Sequence, residues 1–178
     1  FKEVIEFASA NQFKCVDIMC WPKGKAERRY AGVTHINVDE IDDAKVIEIK
    51  SILEKNKVYI SGLGYYPNPL DDDKNQSVVY IEHIKKVIVA AAKLGIPVVN
   101  TFVGRDSEKS VEDNLEKFAE VWPGIIKVAE ENKVKIGIEN CPMLFTRDEW
   151  PGGKNLATTP AIWKKMFEII PSPAFGLN

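Results

Sequence analysis

The stretch VKIGIENCP, residues 134–142, decides the fold of this chain. It is typical of a short apolar strand that ends in a carboxylate, an amide and a turn. Alternation along a strand places Gly137 and Glu139 on one face. Ile138 and Asn140 then lie on the other face. Because α/β proteins build their sites at the carboxyl ends of parallel strands, Glu139 is the first candidate metal ligand or acid/base. The alternative is an ordinary strand-end glutamate that faces water.

Strand-like and helical segments alternate along the whole chain. Five apolar runs begin near residues 15, 58, 98, 134 and 174, a spacing of roughly 40 residues that suits one strand–helix unit. This alternation predicts an α/β protein with a parallel sheet and right-handed crossovers, in either a (β/α)8 barrel or an open doubly wound sheet. The strands are predicted at 15–20, 58–63, 98–103, 134–139 and 174–178, and the helices at 1–11, 41–56, 77–94, 110–132 and 160–170.

Local signals mark where several of these helices begin and end. Asp42 and Asp43 favour a helix N-terminus because their charges oppose the helix dipole. Ser110, with Asp113 three residues later, forms a variant of the capping box. A glycine after an apolar helix favours a left-handed C-cap, which predicts the end of the third helix at residue 95. Pro123 is expected to kink or split the fourth helix.

Composition and charge restrict the class of protein. The 178 residues, 45% of them hydrophobic, suit one domain of ordinary size. With 24 basic and 26 acidic residues the net charge is −2, which gives no general attraction to nucleic acid or to an anionic membrane. No apolar run approaches the roughly 20 residues that cross a bilayer. Cys15, Cys20 and Cys141 lack CxxC spacing, so we expect buried free thiols in a reducing cytoplasm.

The predicted units are fewer than a complete barrel contains. A barrel has eight units over about 250 residues, whereas five are predicted here. The chain begins at Phe1 inside a helical pattern and stops at Asn178 directly after a strand-like run, so both ends look cut. We therefore expect residues 1–178 to form one incomplete barrel domain. Its unpaired strand edges predict self-association into a homo-oligomer.

Polar and aromatic residues collect just after the predicted strands. Amides can hold hydroxyl groups while aromatic rings cover the C–H face of a sugar, although Asn and Tyr also fill turns. As a set, these residues favour a site for a sugar-like ligand. His35 could bind substrate or act as an acid/base, whereas His83 is expected to be structural or solvent-facing. The strand-end residues are Trp21, Tyr65, Tyr66, Asn68, Asn100, Glu139, Asn140 and Asn178.

Three other features have open interpretations. Asp17, inside the first predicted strand, faces either a barrel interior or an unpaired edge. Lys25, Arg28 and Arg29 could hold a phosphate or be ordinary solvated charges. The segment WPGGKN, residues 150–155, lacks the spacing of a phosphate-binding loop and is expected to be a mobile loop over the site.

Five segments resemble the xylose isomerase-like TIM barrel superfamily, the sugar phosphate isomerase/epimerase group. In that family a strand ending in Ile-Glu-Asn or a similar tripeptide supplies a glutamate to Mg²⁺, Mn²⁺ or Zn²⁺, and Glu139 matches it. The next strand commonly continues into an Asp-x-x-His segment with further ligands, which would begin about where this chain stops. The first barrel strand would precede Phe1. The segments are 16–22 (VDIMCWP), 60–66 (ISGLGYY), 99–104 (VNTFVG), 136–140 (IGIEN) and 175–178 (FGLN).

This resemblance implies a sugar or cyclitol isomerase or epimerase, with phosphorylated substrates included. It would act by metal-assisted proton transfer next to a carbonyl, and Glu139 would be both the catalytic residue and a metal ligand. One carboxylate holds a hard cation poorly, so the isolated segment should be inactive. The substrate would contact Trp21, His35, Tyr65, Asn100 and Asn140.

Other functions stay open at this point. A barrel of this kind could bind a sugar-like ligand without converting it, and a dehydratase or hydrolase can use the same platform. The superfamily also includes zinc-dependent endonucleases for abasic DNA, which carry one His on the third barrel strand and another on the fourth. The approximate counterparts here are Gly62 and Phe102. The absence of both His, with the near-neutral charge, argues against a nuclease.

Overall fold

A single parallel sheet forms the centre of the computed structural model, which describes residues 1–24, 32–142 and 153–178. The strands in this sheet are β1 (Cys15–Met19), β2 (Tyr59–Gly64), β3 (Val98–Thr101), β4 (Lys135–Ile138) and β5 (Phe175–Leu177). They follow one another across the sheet in chain order, and every neighbouring pair is parallel. A doubly wound sheet reverses its order at a switch point, whereas a barrel adds each strand beside the last. The strand order is therefore that of a partial (β/α) barrel.

The helices alternate with the strands as predicted. Within the described residues, a 3₁₀ turn at Val38–Glu40 is the only helical segment that the sequence pattern did not indicate. None of the described helices is both long enough and apolar enough to span a bilayer. The α-helices are α1 (Lys2–Ala10), α2 (Asp43–Asn56), α3 (Lys74–Leu94), α4 (Val111–Glu131) and α5 (Pro160–Ile169).

The predicted helix ends are confirmed by their hydrogen bonds. Asp42 is the N-cap of α2, and its carboxylate accepts a hydrogen bond from the Lys45 N–H at 2.7 Å. Ser110 and Asp113 form both bonds of the capping box at the start of α4. Gly95 closes α3 with a φ of +77°, a left-handed conformation that glycine adopts without strain.

Pro123 does not split its helix, because α4 is continuous through it; the alternative, a kink, stays a prediction. A proline removes one backbone donor from a helix, and buried residues lie on both sides of this one. Trp122 and Ile125 are completely buried, and the Trp122 indole N–H donates to the Val103 carbonyl at 3.1 Å. This packing holds both halves of α4 against the sheet.

The sheet has an outer face that packs against the helices. Side chains on this face are fully buried, and burial of one such side chain contributes about 1.5–3 kcal/mol. The outer face thus carries most of the stability of the fold. It is defined by Ile18, Leu63, Val99 and Ile138, each 0% exposed.

The opposite, inner face of the sheet is polar and small. It is defined by Asp17, Gly62, Asn100, Gly137 and Glu139. A Cβ on Gly62 would lie 2.7 Å from Asp17 Oδ1, and one on Gly137 would lie 2.5 Å from Asn100 Oδ1. Both positions therefore need glycine, because any larger side chain would collide with a polar neighbour. Asp17 lies on the inner face, and its side chain is exposed on the edge strand β1, so the two situations that the sequence allowed coincide here.

All three cysteines are free. Cys20 is buried, and burial, followed by the charge of Asp17, raises the pKa of its thiol to about 12. Cys15 and Cys141 are exposed, so the expectation of buried thiols is wrong for these two. Cys15 opens β1 at the sheet edge, and Cys141 lies beyond the end of β4, so neither reaches the core.

Candidate functional site

Glu139 follows β4 directly and lies beside the last residue of the chain. Its backbone N–H donates to the Thr101 carbonyl at 3.0 Å, which continues the β3–β4 ladder by one residue. Its half-buried side chain accepts a hydrogen bond from Asn178 Nδ2 at 2.6 Å. This short charge-assisted bond fixes the carboxylate on the inner face.

Tyr66 lies between two acidic side chains of the inner face. Its ring packs against Phe102, with centroids 5.0 Å apart. Burial, then the charges of Asp17 and Glu139 and a hydrogen bond to Glu139, raise the pKa of its phenol far above the ordinary value. Because the phenol stays protonated in neutral solution, Tyr66 is a fixed hydrogen-bond donor in this group of residues.

Asn100 and Asp17 meet across β2, although their own strands are not neighbours. Asn100 Nδ2 donates to Asp17 Oδ2 at 2.9 Å. The Asn100 side chain is only 5% exposed, and its Oδ1 has no hydrogen-bond partner among the described residues. The structure therefore places Asn100 and Glu139, both predicted site residues, on one face, together with Asp17, Tyr66 and Asn178.

Two other predicted site residues, Trp21 and Tyr65, pack against each other. Their rings meet edge to face at 4.9 Å. Tyr65 is 1% exposed and also contacts the His83 ring at 4.6 Å. His83 hydrogen-bonds the Cys20 carbonyl at 2.8 Å, and burial lowers its pKa. His83 is therefore structural, one of the two roles expected for it, and Tyr65 is buried beside it while Tyr66 contacts Glu139.

His35 lies beside the end of β1. Its backbone N–H donates to the Met19 carbonyl at 2.9 Å, and its Nδ1 accepts from the Met19 N–H at 3.3 Å. Burial, followed by the charge of the chain's amino terminus, lowers the pKa of His35. A neutral ring whose Nδ1 accepts must carry its proton on Nε2. His35 can therefore donate a hydrogen bond through Nε2.

Asn140 is exposed. Because side chains alternate along a strand, Asn140 lies on the face opposite to that of Glu139. The structure does not bring it into the group on the inner face. Lys25, Arg28 and Arg29 lie outside the described residues.

Asn155 is a buried residue of this region that the sequence did not indicate. Its Nδ2 donates to the Glu139 carbonyl at 2.8 Å and to the Cys141 carbonyl at 2.7 Å. Its Oδ1 accepts from the Val103 and Ala157 N–H groups at 3.3 and 3.4 Å. One amide thus joins the segments that follow β3 and β4.

The described part of the segment 150–155 is packed into the fold, while the predicted mobility of this loop stays a prediction. Gly153 and Asn155 are both buried, and Asn155 makes the four bonds given above. Residues 150–152 lie outside the described part of the chain. A single sequence gives no signal for Asn155, because an Asn in a Gly-rich loop is equally typical of an exposed turn.

The chemistry of the inner face fits one part of a divalent-metal site. Carboxylate and amide oxygens suit Mg²⁺ and Mn²⁺, and a carboxylate also suits Zn²⁺. Glu139 offers such a carboxylate at the end of β4. Residues 1–24, 32–142 and 153–178 contain no group of three His, Cys, Asp or Glu side chains that could hold a metal. These residues therefore fit a metal as a partial ligand set.

Comparisons with known proteins agree with this geometry. The family model described as "Xylose isomerase-like TIM barrel" matches residues 5–178. No curated protein matches the chain. A D-psicose 3-epimerase structure in the presence of D-fructose has a TM-score of 0.71 and 14% identity, and the alignment covers 99% of this chain and 56% of that one.

Two further solved structures show the same fold. The IOLI protein with a binding zinc atom has a TM-score of 0.70 at 13% identity, with 99% of this chain and 56% of that chain covered. The probable 3-DHS dehydratase AsbF from Bacillus anthracis has a TM-score of 0.67 at 13% identity, with coverages of 100% and 56%. The chain thus spans about half the length of these structures, and at such identities the likeness shows the fold alone.

Proposed function

This chain belongs to the xylose isomerase-like TIM barrel family, and we propose that the full-length protein is a metal-dependent isomerase or epimerase of a sugar or cyclitol, phosphorylated or not. The observation that carries the proposal is the carboxylate of Glu139, held by Asn178 at 2.6 Å on the polar inner face of the sheet. Structural neighbours named as sugar epimerases support this substrate class.

The reaction is a proton transfer next to a carbonyl. A proton leaves the carbon beside the carbonyl and returns to the opposite face of that carbon in an epimerase, or to the neighbouring carbon in an isomerase. Glu139 takes up this proton. In an isomerase the same carboxyl group can return it to the neighbouring carbon, whereas an epimerase needs a second acid group on the opposite face of the substrate to deliver a proton there. Tyr66 donates its phenolic hydrogen bond to Glu139, and Asn178 fixes the direction of the carboxylate.

Glu139 is also the residue of this chain that would hold a divalent cation, Mn²⁺, Mg²⁺ or Zn²⁺. Such an ion, when bound, polarises the carbonyl oxygen and makes the neighbouring C–H more acidic. Since one carboxylate holds an ion weakly, the chain of 178 residues should be inactive without further ligands.

The polar side chains around Glu139 would orient the substrate. Asn100 would bind a hydroxyl group, and the Nε2–H of His35 would donate to an oxygen. Trp21 would shape one wall, whereas Asn140 lies outside the inner-face group and Tyr65 is buried in the core. The protein would work on a small molecule in the cytoplasm, where free thiols persist.

Activity of the full-length protein and its Glu139→Gln variant tests the proposal. We expect Mn²⁺-dependent epimerisation within a panel of ketoses, and a loss of about 10²–10⁴-fold in kcat/KM for the variant, the range that a general base contributes. Glu116→Gln is the matched control, because Glu116 is exposed on α4. Undiminished activity of Glu139→Gln would remove Glu139 from the mechanism.

A second candidate is a barrel that binds a sugar without converting it. It needs only hydrogen-bonding groups such as those of Asn100 and His35, and no metal ion. It predicts ketose binding that EDTA does not change, and no turnover. Calorimetry with and without EDTA distinguishes this function from the enzymatic one.

A further inference from the structure

Asn100 occupies the middle of the inner face. It lies on β3, and its backbone pairs with Gly64 on β2 and with Gly137 on β4. Glu139 stands two residues beyond Gly137 on the same face. Asn100 therefore lies below Glu139, about 6–7 Å nearer the floor of the barrel at the usual rise per residue.

Asp17 determines the orientation of the Asn100 amide. A register shift between Val16 and Asp17 sets Asp17 opposite Gly62. A Cβ on Gly62 would lie 2.7 Å from Asp17 Oδ1 and 2.8 Å from Asn100 Nδ2, so glycine is required for the bond to cross β2. Because an ionised carboxylate only accepts, the NH₂ group of Asn100 must face Asp17.

The oxygen of the same amide is left without a partner. Asn100 Oδ1 is buried, and no described residue donates to it. It points over Gly137, where a Cβ would lie 2.5 Å from it and 3.3 Å from the Cβ of Asn178. Buried acceptors are nearly always satisfied in native proteins. An acceptor that is fixed in direction and unpaired is a group that a ligand donor would satisfy once the side chains that cover it move aside.

We propose that Asn100 Oδ1 accepts a hydrogen bond from a hydroxyl group of the substrate, and that Asp17 is the positioning residue that holds it in this role. The inference rests on the proposed function and deepens it. The ligand must carry a hydroxyl at this point, because a carbonyl or ether oxygen cannot donate. That hydroxyl lies away from the reacting carbon, which Glu139 contacts higher in the site.

Binding of D-fructose and its monodeoxy derivatives to the full-length protein, measured by calorimetry, tests this assignment. We expect the loss of one particular hydroxyl to weaken binding about tenfold, the effect of about one hydrogen bond. In Asn100→Leu, D-fructose should bind as weakly as that deoxy sugar, with no further loss for the deoxy sugar itself. Thr101→Val is the matched control, since Thr101 is the buried neighbour on the outer face.

Variants of Asp17 and the melting temperature separate a binding role from a structural one. In Asp17→Ala, the affinity for D-fructose should depend less on that hydroxyl. In Asp17→Asn, which still offers an acceptor oxygen to Asn100, the affinity should depend on it as in wild type. Asn100→Leu should melt close to the wild-type temperature, because the removal of an unpaired buried oxygen offsets the loss of the bond to Asp17.

Two results would overturn the assignment. If D-fructose binds but every deoxy sugar is affected equally in wild type and Asn100→Leu, the role of Asn100 fails while the proposed function stands. If no ketose in the panel binds, the proposed function fails and this assignment with it.

Discussion

The two faces of the sheet differ in how completely their buried atoms are packed or hydrogen-bonded. On the outer face, Ile18 and Leu63 are fully buried against the helices. On the inner face, glycines leave space, and the buried Asn100 Oδ1 has no described partner. A parallel sheet in α/β proteins usually has apolar residues on both faces. The outer face therefore specifies the fold, while the polar inner face departs from this usual pattern.

The largest effect should come from opening a cavity behind the outer face. Trp122 is fully buried, and its ring lies 5.9 Å from the rings of Phe118 and Phe175. We expect Trp122→Ala to lower the free energy of unfolding by about 3–5 kcal/mol, measured by urea denaturation. Phe7→Ala should change it by less than about 0.5 kcal/mol, because Phe7 is 66% exposed. A loss below about 1 kcal/mol for Trp122→Ala would contradict this division.

A smaller loss is expected at Asn155, where the segments that follow β3 and β4 are joined. Asn155→Ala leaves the Glu139 and Cys141 carbonyls and two N–H groups without their partner. We expect a loss of about 2–3 kcal/mol in urea denaturation, since unpaired buried groups carry most of the cost. Asn75→Ala, at an exposed position in the first turn of α3, is the control. Equal stability of the two variants would show that the amide does not hold the strand ends.

The sequence predicted the parts of the structure that depend on local rules. The alternation of strands and helices and the caps at Asp42, Ser110 and Gly95 follow from residue spacing, and the structure confirms them. Spacing left a barrel and a doubly wound sheet both open, and only the family resemblance favoured the barrel. Glu139 was placed by its position after β4. The bond between Asp17 and Asn100 could not be predicted, because it crosses a strand and depends on register.

The choice between neighbouring tyrosines shows the same limit. Tyr65 packs into the core, and Tyr66 lies beside Glu139. Alternation from Gly62 through Gly64 assigns Tyr66 to the inner face. That signal was available in the sequence, but it is usable only once the register identifies Gly62 as an inner-face residue.

A methyl group added to the inner face tests how closely its polar groups approach. We expect Gly62→Ala to lower the free energy of unfolding by about 1–2 kcal/mol, because the Cβ overpacks the Asp17–Asn100 contact. Gly176→Ala, on β5 of the same sheet, meets no atom within 4 Å and should be close to neutral. Urea denaturation of both variants measures the difference. If both variants lose the same unfolding free energy, the loss comes from replacing any glycine in a strand and not from the close approach at Gly62.

The smallest effect should be a pH dependence that belongs to the outer side of the sheet. Burial lowers the pKa of folded His83 below its ordinary value of 6.5, and the charge of Lys86 lowers it further. The Cys20 carbonyl and Asp39 raise the pKa, but they do not cancel the effect of burial. The unfolded side chain therefore takes up a proton that the folded one resists, so stability is full above pH 6.5 and falls as pH drops towards the folded pKa. His83→Gln should lose less stability than wild type between pH 7.5 and pH 5, in urea denaturations at stepped pH. His35→Gln is the control. It leaves His83 in place, so it should keep the part of the pH dependence of the unfolding free energy that His83→Gln removes. If the free energy of unfolding falls with pH in parallel for wild type and His83→Gln, the His83 ring is not protonated on unfolding. The buried contact between His83 and Tyr65 would then carry no pH dependence.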